Sequence, residues 1–332
     1  MIFATVPVRD AEGAVLAHGV RAGALSLKKG IWLDRAAIAA LREAGVAEVV
    51  AARLGPDDVG EDEAAASLAS KVAGAHIRRD RAFTGRVNLY AEVAGLVRVD
   101  VDAVARVNAV DEAITLATLA PYRRVGAGAM AATVKIIPFA VARPALLAAS
   151  QAAGVQCVAI APFRPLKIGV VSTLLPGLKP SVVDKTLRVL EARLAPAGAS
   201  IAAERRAAHE ALAISGAIKD VLKKSDVAVV FGASAISDRR DVIPAGIEAA
   251  GGRVTRFGMP VDPGNLLLLG EVDGATVIGA PGCARSPKEN GFDWVLERVL
   301  ADVPITAADI RAMGVGGLLM EIASRPQPRE GA

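Results

Sequence analysis

The sequence predicts an α/β protein: a C-terminal half on a mainly parallel sheet, residues 165–324, preceded by an α+β region over residues 1–164. Three observations support this. From Pro165 onward, short continuous apolar runs alternate with helix-forming stretches, as parallel strands do when crossover helices bury both faces. Upstream of Pro165, strand-like and helix-like segments follow one another without that alternation. The composition, 53% hydrophobic and 22% charged over 332 residues, supports a sizeable core and excludes a disordered chain.

The first 54 residues open on a short extended segment. Asp34 then serves as N-cap for a helix over 36–43 that Gly45 ends, and a strand follows over 46–51. Residues 56–60 read as a turn. Residues 61–73 read as a helix with Glu61, Asp62 and Glu63 in its first turn, where the helix dipole favours acids. The stretch 84–100 mixes strand alternation with Gly85 and Gly95. Apolar residues at helical spacing predict one helix over 102–118, and 132–142 is β-rich but interrupted by Pro138.

In the C-terminal half, 166–173 reads as an apolar strand, and 181–195 as a helix with Ser181 as its candidate cap. A second helix is predicted over 209–223, and a buried strand over 226–234 that runs into a loop. Residues 244–250 read as a helix ending at Gly251–Gly252, and 276–282 as a strand entering a glycine turn. Trp294, Val295, Leu296 and Val299 pack a terminal helix onto the sheet, and 325–332 read as a flexible tail.

Several function classes are disfavoured. Aromatics are 3% and the net charge of +4 comes from scattered basic residues, so a nucleic-acid surface is not expected. Cys157 and Cys283 make neither a disulfide framework nor a zinc site, and His18, His76 and His209 are too separated for a metal cluster. The start has no secretory pattern and the apolar runs are short, so a soluble cytoplasmic protein without a membrane partner is expected.

Ligands of open α/β sheets sit at the carboxyl ends of the strands, and three loops could lie there. In the loop 232–244, the small residues Gly232, Ala233 and Ser234 let the backbone approach an anion. Asp238 and Asp241 could hold a divalent cation or a heterocycle, and Arg239 and Arg240 could pair with phosphate. The bland alternative is a tight turn with an aspartate capping the next helix. The loops 258–265, with Asp262, Gly264 and Asn265, and 279–290, with Gly282, Cys283, Ser286 and Lys288, are credible phosphate cradles or ordinary Pro-Gly turns. Cys283 could contact a dithiolene or be an inert buried thiol, and His209 could be a pH-sensitive contact or an ordinary histidine. Thr84, Gly85, Arg86, Val87 and Asn88 could reach a ligand or edge a hairpin. Asp57, Asp58, Glu61, Asp62 and Glu63 could bind Mg²⁺ or begin a helix, and Asp111 and Glu112 could be a solvated face.

These loops resemble the molybdopterin-binding domain shared by molybdopterin adenylyltransferases and molybdotransferases. Ile168-Gly169-Val170-Val171-Ser172 looks like the family's opening strand. The adenylyltransferases' loop ends in Arg-Asp-Val-Thr-Pro, and here the chain reads Arg240-Asp241-Val242-Ile243-Pro244, which implies a functional aspartate at Asp241. Residues 262–266 and 280–284 are similar to the molybdotransferase turns Lys-Pro-Gly-Lys-Pro and Leu-Pro-Gly-Asn-Pro. The family's lysines fall on Asp262 and Asn265, and the asparagine on Cys283. Its Gly-Gly-Thr-Gly is Gly232-Ala233-Ser234-Ala235 here, and His209-Glu210 stand near the place of a Pro-Asp-Asp-like element.

A closer likeness is to the molybdopterin-binding half of bacterial proteins that also carry a cytidylyltransferase-like domain. It rests on 232–245, 258–265 and 279–296, and upstream on 82–91, 111–115 and 132–141. The resemblance implies a three-layer domain over 165–324, and accessory domains like those of molybdotransferases over 1–164. It implies molybdopterin or a nucleotide-linked form as ligand, with Mg²⁺ at Asp241 and catalysis by Asp241 and Asp238. It further implies molybdate insertion or nucleotidyl transfer, and a homodimer. The alternative it leaves is a non-catalytic carrier that hands molybdopterin to a separate cytidylyltransferase, because the catalytic domain of those fusions is not among these residues.

Overall fold

In the computed structural model, which describes residues 1–262 and 264–319, the chain divides into two units, the first ending at Pro162 and the second beginning at Phe163. The expected tail over 325–332 lies outside the described residues.

The first unit opens with β1 (Ile2–Pro7), β2 (Val15–Leu16), β3 (Val20–Ala22), β4 (Leu25–Leu27), α1 (Arg35–Glu43) and β5 (Glu48–Arg53). Strands β1, β5 and β2 form an antiparallel sheet in the order β1-β5-β2. The Asp34 carboxylate accepts the Ala37 amide at 2.8 Å, which begins α1 where the sequence places it. Ile38 and Leu41 then pack on Leu16, Leu33 and Val49.

The chain continues through β6 (Asp58–Gly60), α2 (Glu61–Val72), β7 (Ile77–Arg79), β8 (Arg86–Ala91), β9 (Gly95–Val99), α3 (Val101–Asn108) and β10 (Ile114–Thr118). It then forms β11 (Arg124–Val125), β12 (Met130–Ile136), β13 (Ala140–Ala142), α4 (Arg143–Ala152) and β14 (Val158–Pro162). One sheet runs β10-β12-β8-β7, and another runs β11-β9-β14. The single helix expected over 102–118 is corrected here. It stops at Asn108, whose side-chain amide donates to Leu116 O at 2.9 Å and accepts from Leu116 N at 2.8 Å, turning the chain back on itself. Beyond that turn, β-branched Ile114, Thr115 and Thr118 pair with β12 instead of continuing a helix. The turn expected over 56–60 likewise ends in β6, paired with β13.

The second unit comprises β15 (Lys167–Leu174), α5 (Pro180–Leu194), β16 (Ser200–Ala208), α6 (Ala211–Leu222), β17 (Val227–Phe231), α7 (Val242–Ala249), β18 (Arg253–Met259), β19 (Asn265–Val272), β20 (Ala275–Ala280), α8 (Gly291–Leu300) and α9 (Ala307–Ala312). Its six-stranded sheet has the order β16-β15-β17-β20-β19-β18. The first four strands are parallel, and β20-β19-β18 are joined antiparallel, so the sheet is mixed. Alternation along β15 and β17 sends Ile168, Val170, Val229 and Phe231 to the layer of α5, α8 and α9. Val171, Ala228 and Val230 go to the layer of α6 and α7. The result is three layers, and Phe231 and Phe292 are the largest fully or nearly fully buried side chains between sheet and helices. Ser181 is not a cap: Pro180 occupies the first turn of α5 and Lys179 precedes it, because proline suits a position whose amide has no intrahelical partner. Helix α7 begins two residues before the expected Pro244, at Val242, because Asp241 caps it. Among the described residues, no helix is long and apolar enough to cross a membrane.

Candidate functional site

Parallel pairing of β15, β17 and β20 places their carboxyl ends on one edge of the sheet. Strand β19 runs antiparallel to β20, so its first residue, Asn265, comes to that same edge. All three loops singled out from the sequence therefore share it, and they are bonded to one another. The Ala233 amide donates to Thr173 Oγ1 at the end of β15, at 2.7 Å. Thr173 Oγ1 also lies 2.8 Å from Nδ1 of His209, which places His209 beside the first loop. The Arg285 Nη2 donates to Gly232 O at 2.7 Å, tying the third loop to the first. The Asn265 side-chain amide donates to Cys283 Sγ at 3.3 Å, and the Gly291 amide donates to Asp262 Oδ2 at 3.3 Å, tying the second loop to the third.

In the first loop the acidic residues have local partners. Asp241 caps α7: Oδ1 accepts the Val242 amide at 2.7 Å, and Oδ2 accepts the Ser237 amide at 3.1 Å. Asp238 holds the exposed Arg240 guanidinium at 2.8 Å, and that hydrogen bond keeps the Asp238 carboxyl below the usual carboxylate range. Ser234 and Arg239 are exposed beside them, while Gly232 and Ala233 are half-buried. Among the described residues, no three His, Cys, Asp or Glu side chains come together to hold a metal. Asp241 is thus a single carboxylate whose two oxygens each accept a backbone amide.

The second loop turns through Asp262 at φ 56° and Gly264 at φ 78°. Asp262 N donates to Gly317 O at 2.9 Å. In the third loop Gly282 and Lys288 are exposed, and Ser286 Oγ accepts the Lys288 amide at 3.3 Å. Cys283 lies between two amides, accepting from Asn265 and donating to Asn290 Oδ1 at 3.5 Å. Burial pushes its thiol above the ordinary value, and the nearby Asp262 carboxylate adds to the shift. In the first unit, burial pushes Cys157 up to about 11. A raised pKa means less thiolate at neutral pH, and thiolate is the reacting form. Both cysteines in the native protein are therefore expected to alkylate with iodoacetamide at least about tenfold slower than in guanidinium, read by mass spectrometry. Native-state labelling of Cys283 at the denatured rate would show the thiol to be activated.

Two arginines that organise this edge were not singled out from the sequence. Arg193 on α5 is nearly buried, and its Nε meets Asp293 Oδ1 at 2.6 Å. Its other nitrogens donate to the carbonyls of Ala284 at 2.8 Å and Ser286 at 2.6 Å, so it shapes the third loop from behind. These partners lie about 90 to 100 residues away, and no local pattern announces them. Arg285 stands inside the glycine turn itself, where an arginine among small residues was the available signal.

In the first unit, Asn88 accepts from Thr133 Oγ1 at 2.9 Å and Arg86 donates to Thr133 Oγ1 at 3.4 Å across β8 and β12. Asp62 accepts the Gly85 amide at 2.6 Å and Glu61 pairs with Lys135 at 3.4 Å. The acidic helix start is thus tied to the 84–86 turn.

Residues 5–53 match a family described as a domain of unknown function (DUF8806). No curated protein matches the chain. Among solved structures, a molybdopterin biosynthesis MoeA protein from Pyrococcus horikoshii is 16% identical, with a TM-score of 0.32, over 91% of this chain and 76% of that one. A molybdenum cofactor biosynthesis protein from Pyrococcus furiosus is 12% identical at TM-score 0.26, and the chain spans 64% of its length. A second MoeA structure from Pyrococcus horikoshii is 12% identical at TM-score 0.28, over 74% of that chain. Superpositions this loose carry no argument about activity.

Proposed function

We propose that the chain binds molybdopterin, or a nucleotide-linked form of it, in molybdenum-cofactor biosynthesis. The observation that supports this reading is the direct bonding of the three loops that bear the family resemblance, Gly232 to Arg285 and Asn265 to Cys283, at the carboxyl edge of a parallel sheet. The backbone of Gly232, Ala233, Ser234 and Gly282 approaches the ligand, Asp241 orients the pterin, and exposed Arg240 and Lys288 offset phosphate charge. Catalysis on this site would be molybdate insertion or nucleotidyl transfer, driven by positioning and fixed charge instead of a covalent nucleophile. A protein active in that pathway would work in the cytoplasm, as a homodimer.

Asp262 and Asn265, which stand where the resembled family has its oxyanion-holding lysines, support a second reading. In it the chain is a carrier that presents molybdopterin to a separate cytidylyltransferase. The test is anaerobic calorimetry with purified molybdopterin on the wild type and on Asp241→Asn, which keeps a capping side chain while removing the charge. Binding tighter than about 1 μM that weakens at least about tenfold in the variant is expected. A folded wild type that binds nothing sinks both readings. Nucleotide consumption when molybdopterin, Mg²⁺ and molybdate are supplied separates enzyme from carrier.

A further inference from the structure

Two arginines serve the 282–288 turn, and their surroundings differ in one respect. Arg193 has a carboxylate, Asp293, and spends its remaining donors on loop carbonyls, so its charge is neutralised inside the fold. Arg285 has none. Among the described residues its partners are a carbonyl, Gly232 O at 2.7 Å, and a hydroxyl, Thr186 Oγ1 at 3.0 Å. Thr186 donates its own proton to Val182 O at 2.8 Å, so toward Arg285 it acts purely as an acceptor. The guanidinium carbon stands 5.5 Å from the Phe231 ring centroid, against an apolar face. Burial pulls the Arg285 pKa below the ordinary guanidinium value. A guanidinium presents five N–H donors in a planar fork. Neutral acceptors use part of that fork, and a half-buried charge without a counter-charge is held at a cost.

Ser172 is a second, independent observation. It is 3% exposed, and among the described residues its Oγ is the buried side-chain polar atom without a hydrogen-bond partner. It stands in register with Phe231 across the parallel pair β15-β17. Val170 and Phe231 face the α5 layer while Val171 faces the α6 layer, so strand alternation sends Ser172 to the side of Phe231, which is also the side that Arg285 covers. An unpaired cationic fork and an unpaired hydroxyl donor thus share one side of the sheet at its carboxyl end.

We propose that Arg285 and Ser172 hold a tetrahedral oxyanion, a phosphate group or an inorganic anion of the same shape, with Thr186 and Gly232 O positioning the fork. Two guanidinium N–H groups match two oxygens of such an anion, and the Ser172 hydroxyl donates to a third as the turn admits it. The site deepens the reading above, and rests on it only for the identity of the molecule that carries the phosphate. Exposed Lys288 contributes screened, long-range charge and not the seat.

The probes are inorganic phosphate and methyl phosphate, titrated by calorimetry into the full-length protein at low ionic strength. Wild type is expected to bind at least one of them tighter than about 1 mM. Arg285→Met weakens this at least about tenfold and Ser172→Ala at least about threefold. Ser172→Ala removes a buried unsatisfied hydroxyl, so the free protein melts at or above the wild-type temperature while its phosphate-induced rise in Tm shrinks. Should Arg285→Met fail to fold, Arg285→Lys, which keeps the charge without the fork, takes its place with the same direction. Methyl phosphate binding as tightly as inorganic phosphate marks a phosphate-ester ligand, and preference for the free ion marks an inorganic oxyanion. A wild type that binds neither, or unchanged affinity in the Arg285 variant or in Ser172→Ala, overturns the site. Molybdopterin binding without phosphate binding would reject this site and keep the reading above; phosphate binding without molybdopterin binding would do the reverse.

Discussion

Replacing Arg193 by Met lowers the stability of the second unit by about 3–5 kcal/mol, the usual consequence of removing one partner of a buried ion pair. The guanidinium and the Asp293 carboxylate are 8% and 11% exposed and meet at 2.6 Å. Methionine fills much of the space but leaves the carboxylate in a poorly solvated place with the Asn290 backbone amide, at 2.8 Å, as its remaining partner among the described residues. It also leaves the carbonyls of Ala284 and Ser286 without their donor. For a unit of this size the loss corresponds to a fall in Tm of about 10 °C. The double variant Arg193→Met with Asp293→Asn tests the cause. Asparagine removes the charge but retains an oxygen for the Asn290 amide, so the double variant recovers part of the stability that the single one loses. A fall below about 2 °C, or a double variant no more stable than the single, would show that the pair is not what holds the turn. The same substitution reaches the loop edge of the sheet, because Arg193 grips the turn that carries Cys283, Ser286 and Lys288.

That chain of dependence also explains what could be read from the sequence. Strands β15, β17 and β20 were legible because both faces are buried and the runs are continuously apolar. Strand β16 was missed: its Glu204, Arg205 and Arg206 mark a sheet edge, which lacks that continuous burial. In the hairpin of β18 and β19, Arg253, Thr255 and Arg256 interrupt the hydrophobicity of β18, whereas the leucine run 266–269 of β19 carries the same apolar signal as β17 and went unassigned. The expected 102–118 helix failed at Asn108, where a side chain bonding both backbone groups of Leu116 overrode helical periodicity. Within the site, loop positions were legible because glycine, proline and aspartate have local consequences. Asp34 and Asp241 both cap helices, as a local rule foresees. The use of each side chain was less legible. Asp238 spends its charge on Arg240, Cys283 its thiol on two asparagines, and Arg285 is a half-buried cation with no carboxylate partner among the described residues, a fact that exists only once α5, β17 and the turn meet.

Gly232→Ala separates the loops' two duties. A Cβ at Gly232 would come within 2.5 Å of Ser234 O and 2.8 Å of Ile243 Cδ1. The isoleucine can rotate, but the Ser234 carbonyl is backbone, so the loop itself must move. Gly232 O is bonded to Arg285, and the next amide, Ala233 N, is bonded to Thr173, so movement strains the bonds that join this loop to β15 and to the third loop. A loss of about 1–3 kcal/mol is expected, the ordinary range for overpacking. Molybdopterin and phosphate affinity fall with it by at least about tenfold. Gly282 is the informative contrast, because a Cβ there meets nothing within 4 Å. Gly282→Ala therefore keeps its unfolding free energy within about 0.5 kcal/mol of wild type. Any affinity it loses reports a ligand lying against that backbone and not a damaged loop. The expected pair of results is lost affinity in both variants and lost stability in Gly232→Ala alone. Wild-type stability in Gly232→Ala would mean the first loop is free to shift and does not present a fixed surface. Full affinity in Gly282→Ala would move the ligand off the third turn, leaving Arg285 to reach it from the side of β17.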